Sequence, residues 1–111
     1  MKPFTETIIG IIKQIPEGKV MTYGQIAKAA GSPRAARQVV RILHSMSEKY
    51  HLPWHRVINA KGQISIKDDE SQMEQKWLLE NEGVEVSDSG DVDLKQFQCI
   101  SPAPPDPDEK I

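Results

Sequence analysis

The sequence predicts a mostly α-helical domain with a small β-hairpin, in a winged-helix-like arrangement. Two features support this fold class. Apolar residues recur at helical spacing through the first half of the chain, where a tight turn containing Gly31 separates two helices. Later in the chain, two short β-branched segments flank a polar turn, which is typical of a hairpin. The 111 residues suffice for one domain, which we expect to occupy residues 1–100.

The first two helices are predicted from apolar spacing and from the residues at their ends. The apolar residues of the first helix are Phe4, Ile8, Ile9, Ile12 and Ile15. Pro16 and Gly18 then end this helix. Thr22 and Gln25 have the spacing of a capping box, which predicts a short second helix that ends before Gly31.

A third helix is expected from Pro33 to Ser47, with Ser32 as its N-cap. Its polar face is basic and consists of Arg34, Arg37, Gln38 and Arg41. Its opposite face is apolar and consists of Ala36, Val39, Val40 and Leu43. This third helix has a basic face and follows a short helix and a tight turn, which indicates a DNA-binding helix-turn-helix.

The remainder of the chain predicts the hairpin, one more helix and a tail. Val57-Ile58 would pair with residues 64–66 across the turn at 59–62. Asp69 would cap the last helix, which carries Met73, Trp77, Leu78 and Leu79. We expect Trp77 to be part of the core, and Val84-Glu85-Val86 to form a short edge strand. Residues 101–111 are Pro-rich and acidic, which predicts a disordered tail.

Charge is distributed unevenly along the chain, although the formal net charge is only −2. Residues 1–67 contain eleven Lys or Arg and three Asp or Glu, a net charge of +8. Residues 68–111 contain three Lys or Arg and thirteen Asp or Glu, a net charge of −10. A basic half with an acidic appendage favours a polyanionic partner such as DNA.

Other features of the sequence argue against a membrane-spanning protein and against a metal-dependent protein. The longest apolar run, near residues 8–12, is too short to span a bilayer, and we expect no secretory signal. The residues His44, His51, His55 and Cys99 lack a zinc-binding spacing, so we expect neither a metal nor a cofactor. A single cysteine fits a reducing compartment. We expect the cytoplasm, in association with the nucleoid, in a bacterium, and the nucleus in a eukaryote.

Five short motifs occur in order along the chain. They are IPEG at 15–18, TYGQIA at 22–27, AAR at 35–37, P-x-HRVI at 53–58, and WLL followed by EG within 77–83. Together they resemble the C-terminal DNA-binding, active-site domain of the O6-alkylguanine-DNA alkyltransferases. The nucleophilic cysteine of that family lies between Pro53 and His55, where this chain has Trp54. Because an indole has no thiolate to accept an alkyl group, the chain is similar to the non-enzymatic, alkyltransferase-like branch.

The resemblance implies a function and a set of site residues. It implies recognition of O6-alkylguanine in double-stranded DNA, with the helix-turn-helix docked in the minor groove and the base flipped into a Trp-containing pocket. It further implies that no alkyl group is transferred and that the protein, as a monomer, presents the lesion to nucleotide excision repair proteins. The implied lesion pocket consists of Tyr23, Trp54, His55, Val57 and Lys67. The implied DNA-binding residues are Thr5, Tyr23, Gln25, Arg34, Ala35, Ala36 and Arg37.

Individual roles follow from the same resemblance. Arg37 matches the arginine that intercalates where the flipped base was, and Tyr23 matches the tyrosine that crowds the neighbouring phosphate. His55 and Glu82 match the pair that activates the missing cysteine, and we interpret them here as structural hydrogen-bonding partners. Lys67 occupies the position of a tyrosine in the enzymes, and Met46 occupies the position of an asparagine. The pocket of this chain therefore need not have the shape or the lesion preference of the enzyme pocket.

Two other functions are compatible with the sequence. One is a true alkyltransferase that uses Cys99, although this residue lacks a neighbouring Pro or His and is typical of a buried hydrophobe. The other is a sequence-specific winged-helix regulator, which would bind independently of damage. An alkyl adduct on the protein would indicate the first function, and sequence-dependent affinity the second.

Overall fold

The computed structural model of the protein describes residues 2–100, and the predicted tail at 101–111 lies outside the described residues. The elements are α1 (Pro3–Lys13), β1 (Met21–Thr22), α2 (Tyr23–Ala29), α3 (Ala36–Tyr50), a 3-10 helix (Trp54–Arg56), β2 (Val57–Ile58), α4 (Asp69–Asn81) and α5 (Leu94–Phe97). The predicted class, mostly helical with a small two-stranded sheet, is confirmed. Within residues 2–100, no helix has the length and apolarity needed to cross a bilayer.

Two apolar clusters form the core. The first lies between α1, α2 and α3, and its most deeply buried members include Ile8, Ile12, Ile26 and Val39. The second joins the sheet to α4 and the C-terminal segment, and it includes Val20, Ile58, Leu79, Val84 and Phe97. The predicted faces of α3 are confirmed, because Val39 and Leu43 are buried whereas Arg37 and Arg41 are exposed.

The start of α2 is as predicted. The backbone N–H of Gln25 donates to Thr22 Oγ1 at 3.1 Å, and Gln25 Oε1 accepts from the Thr22 N–H at 3.2 Å. This reciprocal pair satisfies two of the N–H groups that a helix start leaves unpaired. It also fixes the direction in which the next residue, Tyr23, leaves the strand.

Helix α3 begins three residues later than predicted. Gly31 has φ +87°, and the Ser32 N–H donates back to Ala27 O at 2.9 Å, so this turn closes α2. Ser32 is therefore not the N-cap, and Ala35 holds that position without a side-chain hydrogen bond. In consequence Arg34 lies in the turn that precedes α3. The helix also continues past Ser47 to Tyr50.

The predicted hairpin is wrong in its pairing. β2 pairs in parallel with β1, with Met21 opposite Val57 and Thr22 opposite Ile58. The turn at 59–62 does form, with the Gly62 N–H donating to Asn59 O at 2.9 Å. Residues 64–66 are not a strand, however, because the chain after the turn pairs with the 90–92 segment. The predicted strand at 84–86 is likewise reduced to a single bridge between residues 86 and 92.

Helix α4 has a different orientation from the predicted one. Asp68, not Asp69, caps it by accepting from the Ser71 N–H at 3.0 Å. Its buried residues are Gln75 and Leu79. Trp77 is 63% exposed, so its prediction as a core residue is wrong. The buried amide of Gln75 forms two hydrogen bonds that hold the helix in this rotation, and Trp77 is turned outward as a result.

Candidate nucleic-acid interface

A cleft of about 1020 Å³ opens between α3, the loop that carries the 3-10 helix, residues 65–68 and α4. This volume is at the upper end of the range for small-molecule sites. Four of the five predicted pocket residues line it, namely Tyr23, Trp54, Val57 and Lys67. The fifth, His55, is absent from the wall and is bound to Glu82 instead.

The topology explains how distant residues meet at this cleft. Tyr23 follows β1 directly, and Trp54 lies three residues before β2. Because β1 and β2 pair in parallel, the start of α2 and the Trp54 loop are held side by side. Trp54 is half-buried, packs on the first core cluster, and meets His55 edge to face at 6.2 Å between ring centroids.

Sequence reasoning missed part of the wall. His44 and Glu48 of α3, and His51 at its C-cap, also line the cleft. Their i, i+4 and i+7 spacing along the helix that leads to Trp54 is the signal that could have identified them. These residues add two imidazoles and a carboxylate to a lining that also includes Lys67, so the cleft combines apolar and aromatic side chains with polar groups.

Gln75 was also not predicted as a site residue, and it holds the Trp54 loop through hydrogen bonds from the inner side of α4. Its Nε2 donates to His55 O at 3.0 Å and to Val57 O at 3.1 Å. Neighbouring Gln72 donates to Ile66 O at 2.6 Å, beside Lys67. A buried glutamine on the apolar side of a helix is a sign of such a role, because a buried amide requires partners.

Glu82 holds the loop through His55 and Arg56, the two residues that follow Trp54. Its carboxylate accepts hydrogen bonds from Arg56 Nη2 at 2.7 Å and from the Gly18 N–H at 3.1 Å, and it lies 2.7 Å from His55 Nε2. Burial raises the pKa of this carboxyl, but the hydrogen bonds from Arg56, His55 and Gly18 outweigh burial and lower the pKa to about 2. An ionised carboxylate only accepts hydrogen bonds, so His55 donates through Nε2.

This network has a structural role for the loop. Arg56 Nη1 also donates to Ile15 O at 2.8 Å, which ties the loop to the chain just beyond α1. Neither His55 nor Glu82 lines the cleft in which Trp54 lies. The pair that matches the activating residues of the enzymes therefore holds the loop in place in this chain.

The basic surface lies at the start of α3. Arg34, Arg37 and Arg41 are exposed, and none of them forms an ion pair with another residue of the 2–100 segment. Ala35 is buried in the first core cluster, whereas Ala36 is half-buried. The arginines are thus available for phosphates, and the small residues let the helix start lie close to the core.

The other predicted DNA-binding residues have different surroundings. Thr5 is half-buried on α1. The side chain of Gln25 is used within the protein, because Nε2 donates to Cys99 O and Oε1 accepts from Gln98 Nε2 at 2.9 Å. Cys99 itself is buried in the core and does not line the cleft. Across residues 2–100, no three His, Cys, Asp or Glu side chains are grouped as metal ligands.

Known proteins match both the sequence and the fold. Residues 3–84 match the family described as "6-O-methylguanine DNA methyltransferase, DNA binding domain". A DNA base-flipping protein of Escherichia coli K12 is 48% identical over 95 residues, covering 86% of this chain and 73% of that protein. Alkyltransferase-like protein 1 of Schizosaccharomyces pombe is 44% identical over 87 residues, covering 78% and 81% respectively.

A solved structure of an alkyltransferase-like protein has a similar fold. S. pombe Atl1, in complex with damaged DNA containing O6-carboxymethylguanine, matches with a TM-score of 0.80 and 38% identity, over 89% of this chain and 96% of that one. This chain belongs to the alkyltransferase-like proteins. The alkyltransferase-like protein described here has Trp54 on the wall of its cleft, and its one cysteine is in the core.

Proposed function

We propose that this alkyltransferase-like protein recognises O6-alkylguanine in duplex DNA, holds the flipped base in the cleft and transfers no alkyl group. The observation that carries the proposal is the position of Trp54, whose indole forms the cleft wall between Pro53 and His55. The base-flipping relative and the Atl1 complex with damaged DNA support the same function.

The proposed binding begins with charge. Arg34 and Arg41 neutralise phosphates on either side of the lesion, which makes affinity strongly salt-dependent. The α3 N-terminus then approaches the minor groove, and Arg37 fills the gap that the flipped base leaves. Tyr23 crowds the adjacent phosphate from the start of α2. Flipping a mispaired base costs less than flipping a paired one, and this difference contributes to damage selectivity.

The flipped base is held by the wall of the cleft. Trp54 supplies an aromatic surface against the base, and such stacking is worth about 1–3 kcal/mol per base. Lys67 places a cation beside the bound base, where it attracts polar atoms or the aromatic ring. The braced loop keeps this surface in one position, so less binding free energy is lost to ordering it.

No step of this function is chemical. Alkyl transfer requires a thiolate within reach of the substituent, and the single cysteine is buried in the core. The protein–DNA complex itself is therefore the product, and we propose that nucleotide excision repair proteins receive it. Binding without repair preserves the lesion for those partners.

A competition experiment tests the proposal. Duplexes of one sequence, with guanine or O6-methylguanine at the centre, compete for the protein at fixed salt, and intact protein mass is measured afterwards. We expect tighter binding of the damaged duplex and an unchanged protein mass. Added alkyl mass in step with lesion loss would indicate an enzyme. Equal affinity for the two duplexes, with strong dependence on flanking sequence, would indicate a regulator.

A further inference from the structure

An apolar pair, Met73 and Trp77, is exposed on the outer face of α4. Met73 is 72% exposed and Trp77 is 63% exposed. They are four residues apart and thus neighbours on one side of the helix. The inward-facing Gln75 and Leu79 are each two positions further along, a rotation of about 200°. The pair is therefore directed away from the core and is not part of the cleft wall.

Exposure of these residue types is informative. Tryptophan and methionine are enriched in protein–protein interfaces relative to other surfaces, and tryptophan is among the residues that dominate binding energy. An exposed apolar group with a polar rim marks an interaction surface. Packing within the described domain also gives no reason for tryptophan at position 77.

The rim of the apolar pair is anionic. Glu70, Glu74 and Glu80 are exposed, and each lies three positions from a member of the pair along α4. Lys76 is the one cation of α4, and its Nζ is 3.7 Å from an Asp88 carboxylate oxygen. The surface therefore presents apolar groups within a field of uncompensated negative charge.

We infer that the apolar pair and its glutamates form a docking site for a basic, amphipathic segment of a partner protein. DNA is excluded as the occupant because the rim has the sign of phosphate. A second copy of the chain packed through the same surface would bring its own glutamates against these. The segment at 101–111 has three acidic residues and one lysine, so its net charge has the same sign as the rim.

This inference rests on the proposed presentation of the lesion to partner proteins. Arg37 and Arg41 lie on α3 and Arg34 lies in the turn before it, whereas the docking site lies on α4 and has the opposite charge. One surface can therefore hold DNA while the other receives a protein. Gln75 on the inner side of α4 also bonds the loop that carries Trp54, so the same helix serves both surfaces.

The test uses a fluorescently labelled synthetic helix of leucine and lysine in amphipathic order, and its counterpart with every lysine replaced by glutamate. Binding to the full chain is measured by anisotropy. We expect saturable binding of the lysine peptide alone. Trp77→Ser should weaken it about tenfold, as loss of a central aromatic does. Combined Glu70→Gln and Glu74→Gln should weaken it about threefold and flatten its salt dependence. Ile100→Ser, which removes an 86% exposed apolar residue elsewhere, should change it less than twofold.

The outcomes separate the two proposals. Binding of both peptides alike, or equal weakening by Trp77→Ser and Ile100→Ser, would overturn the docking site. Each variant is also titrated with the O6-methylguanine duplex without peptide, where Trp77→Ser should match the parent within twofold. Peptide binding without any preference for damaged DNA would refute lesion recognition and leave the docking site intact. Preference for damaged DNA without peptide binding would refute the docking site and leave lesion recognition intact.

Discussion

Replacement of Glu82 by glutamine should destabilise the protein in a pH-dependent way. Glu82 lies at the centre of the network that holds the loop, and it accepts from Arg56, His55 and the Gly18 N–H. Glutamine preserves the shape of the side chain but removes its charge, so it resembles the protonated carboxyl. The substitution therefore isolates the contribution of ionisation.

The magnitude follows from the pKa of Glu82, which falls from 4.5 to about 2 on folding. Each pKa unit corresponds to about 1.4 kcal/mol, so the ionised carboxylate contributes at most about 3.5 kcal/mol. The side chains of Glu82 and Arg56 are 11% and 17% exposed, and solvent screening reduces this to about 2–3 kcal/mol. Because the folded pKa is the lower one, this stability is present above pH 4.5 and is lost as pH falls towards 2.

The assay is urea unfolding of the parent and Glu82→Gln at pH 7 and pH 2. The substitution should cost about 2–3 kcal/mol at pH 7 and less than about 1 kcal/mol at pH 2. Glu85→Gln, an exposed carboxylate with no ion pair within residues 2–100, is the control and should cost less than about 0.5 kcal/mol at either pH. A cost for Glu82→Gln that is the same at both pH values would refute the assigned role of its charge.

Three further predictions concern DNA contacts, backbone geometry and the loop brace. Arg34→Ala should weaken binding to damaged and undamaged duplexes alike and reduce the slope of log affinity against log salt by about 0.9. Arg37→Ala should weaken binding to the damaged duplex more than binding to the undamaged one. Salt titrations in which both variants lose the same affinity for both duplexes would contradict these separate roles. Gly62→Ala should cost about 2–4 kcal/mol in urea unfolding, because φ is +80° and a Cβ would lie 2.8 Å from a carbonyl oxygen. Gly31→Ala, with φ +87° and open space, should cost only about 1 kcal/mol, and equal costs would refute the close contact. Gln75→Leu leaves two loop carbonyls without their donor and should cost about 2–3 kcal/mol and reduce lesion preference; an unchanged Tm and preference would show that the brace is dispensable.

Local signals predicted α1, α2 and the two faces of α3. The capping box at Thr22 and Gln25, the apolar spacing of α1 and the two faces of α3 each depend on residues close in sequence, so they could be read directly. The start of α3 could not, because Ser32 resembles an N-cap but its N–H closes α2 through Ala27 O. Ser32 could either cap α3 or close α2, and the structure contains only the hydrogen bond that closes α2.

Long-range pairing was the part that sequence could not supply. The segment at 57–58 has the composition of a hairpin strand, but its partner is β1, more than thirty residues earlier. The rotation of α4 likewise depends on carbonyls of a loop that lies about twenty residues before Gln75. Apolar spacing alone placed Trp77 inside, because it gave no weight to a buried glutamine. The cleft residues came from resemblance, and the structure brought four of the five together.

The emission of Trp54 tests the central claim most directly. Trp77 is exposed on α4, so Trp77→Phe removes its signal and leaves Trp54 as the only indole, half-buried at the cleft. In the proposed complex a flipped guanine contacts Trp54, and stacking of the base on the indole should quench the Trp54 emission.

The variant is titrated with duplexes of one sequence that contain guanine or O6-methylguanine. Quenching should be strong and saturable with the damaged duplex and weak with the undamaged one, because the paired base is more costly to flip. Trp54→Ala, measured by competition, should retain salt-dependent binding and lose about tenfold of the damage preference, a typical value for one stacking contact. Equal emission with the two duplexes, together with undiminished preference in Trp54→Ala, would show that the lesion does not bind against Trp54.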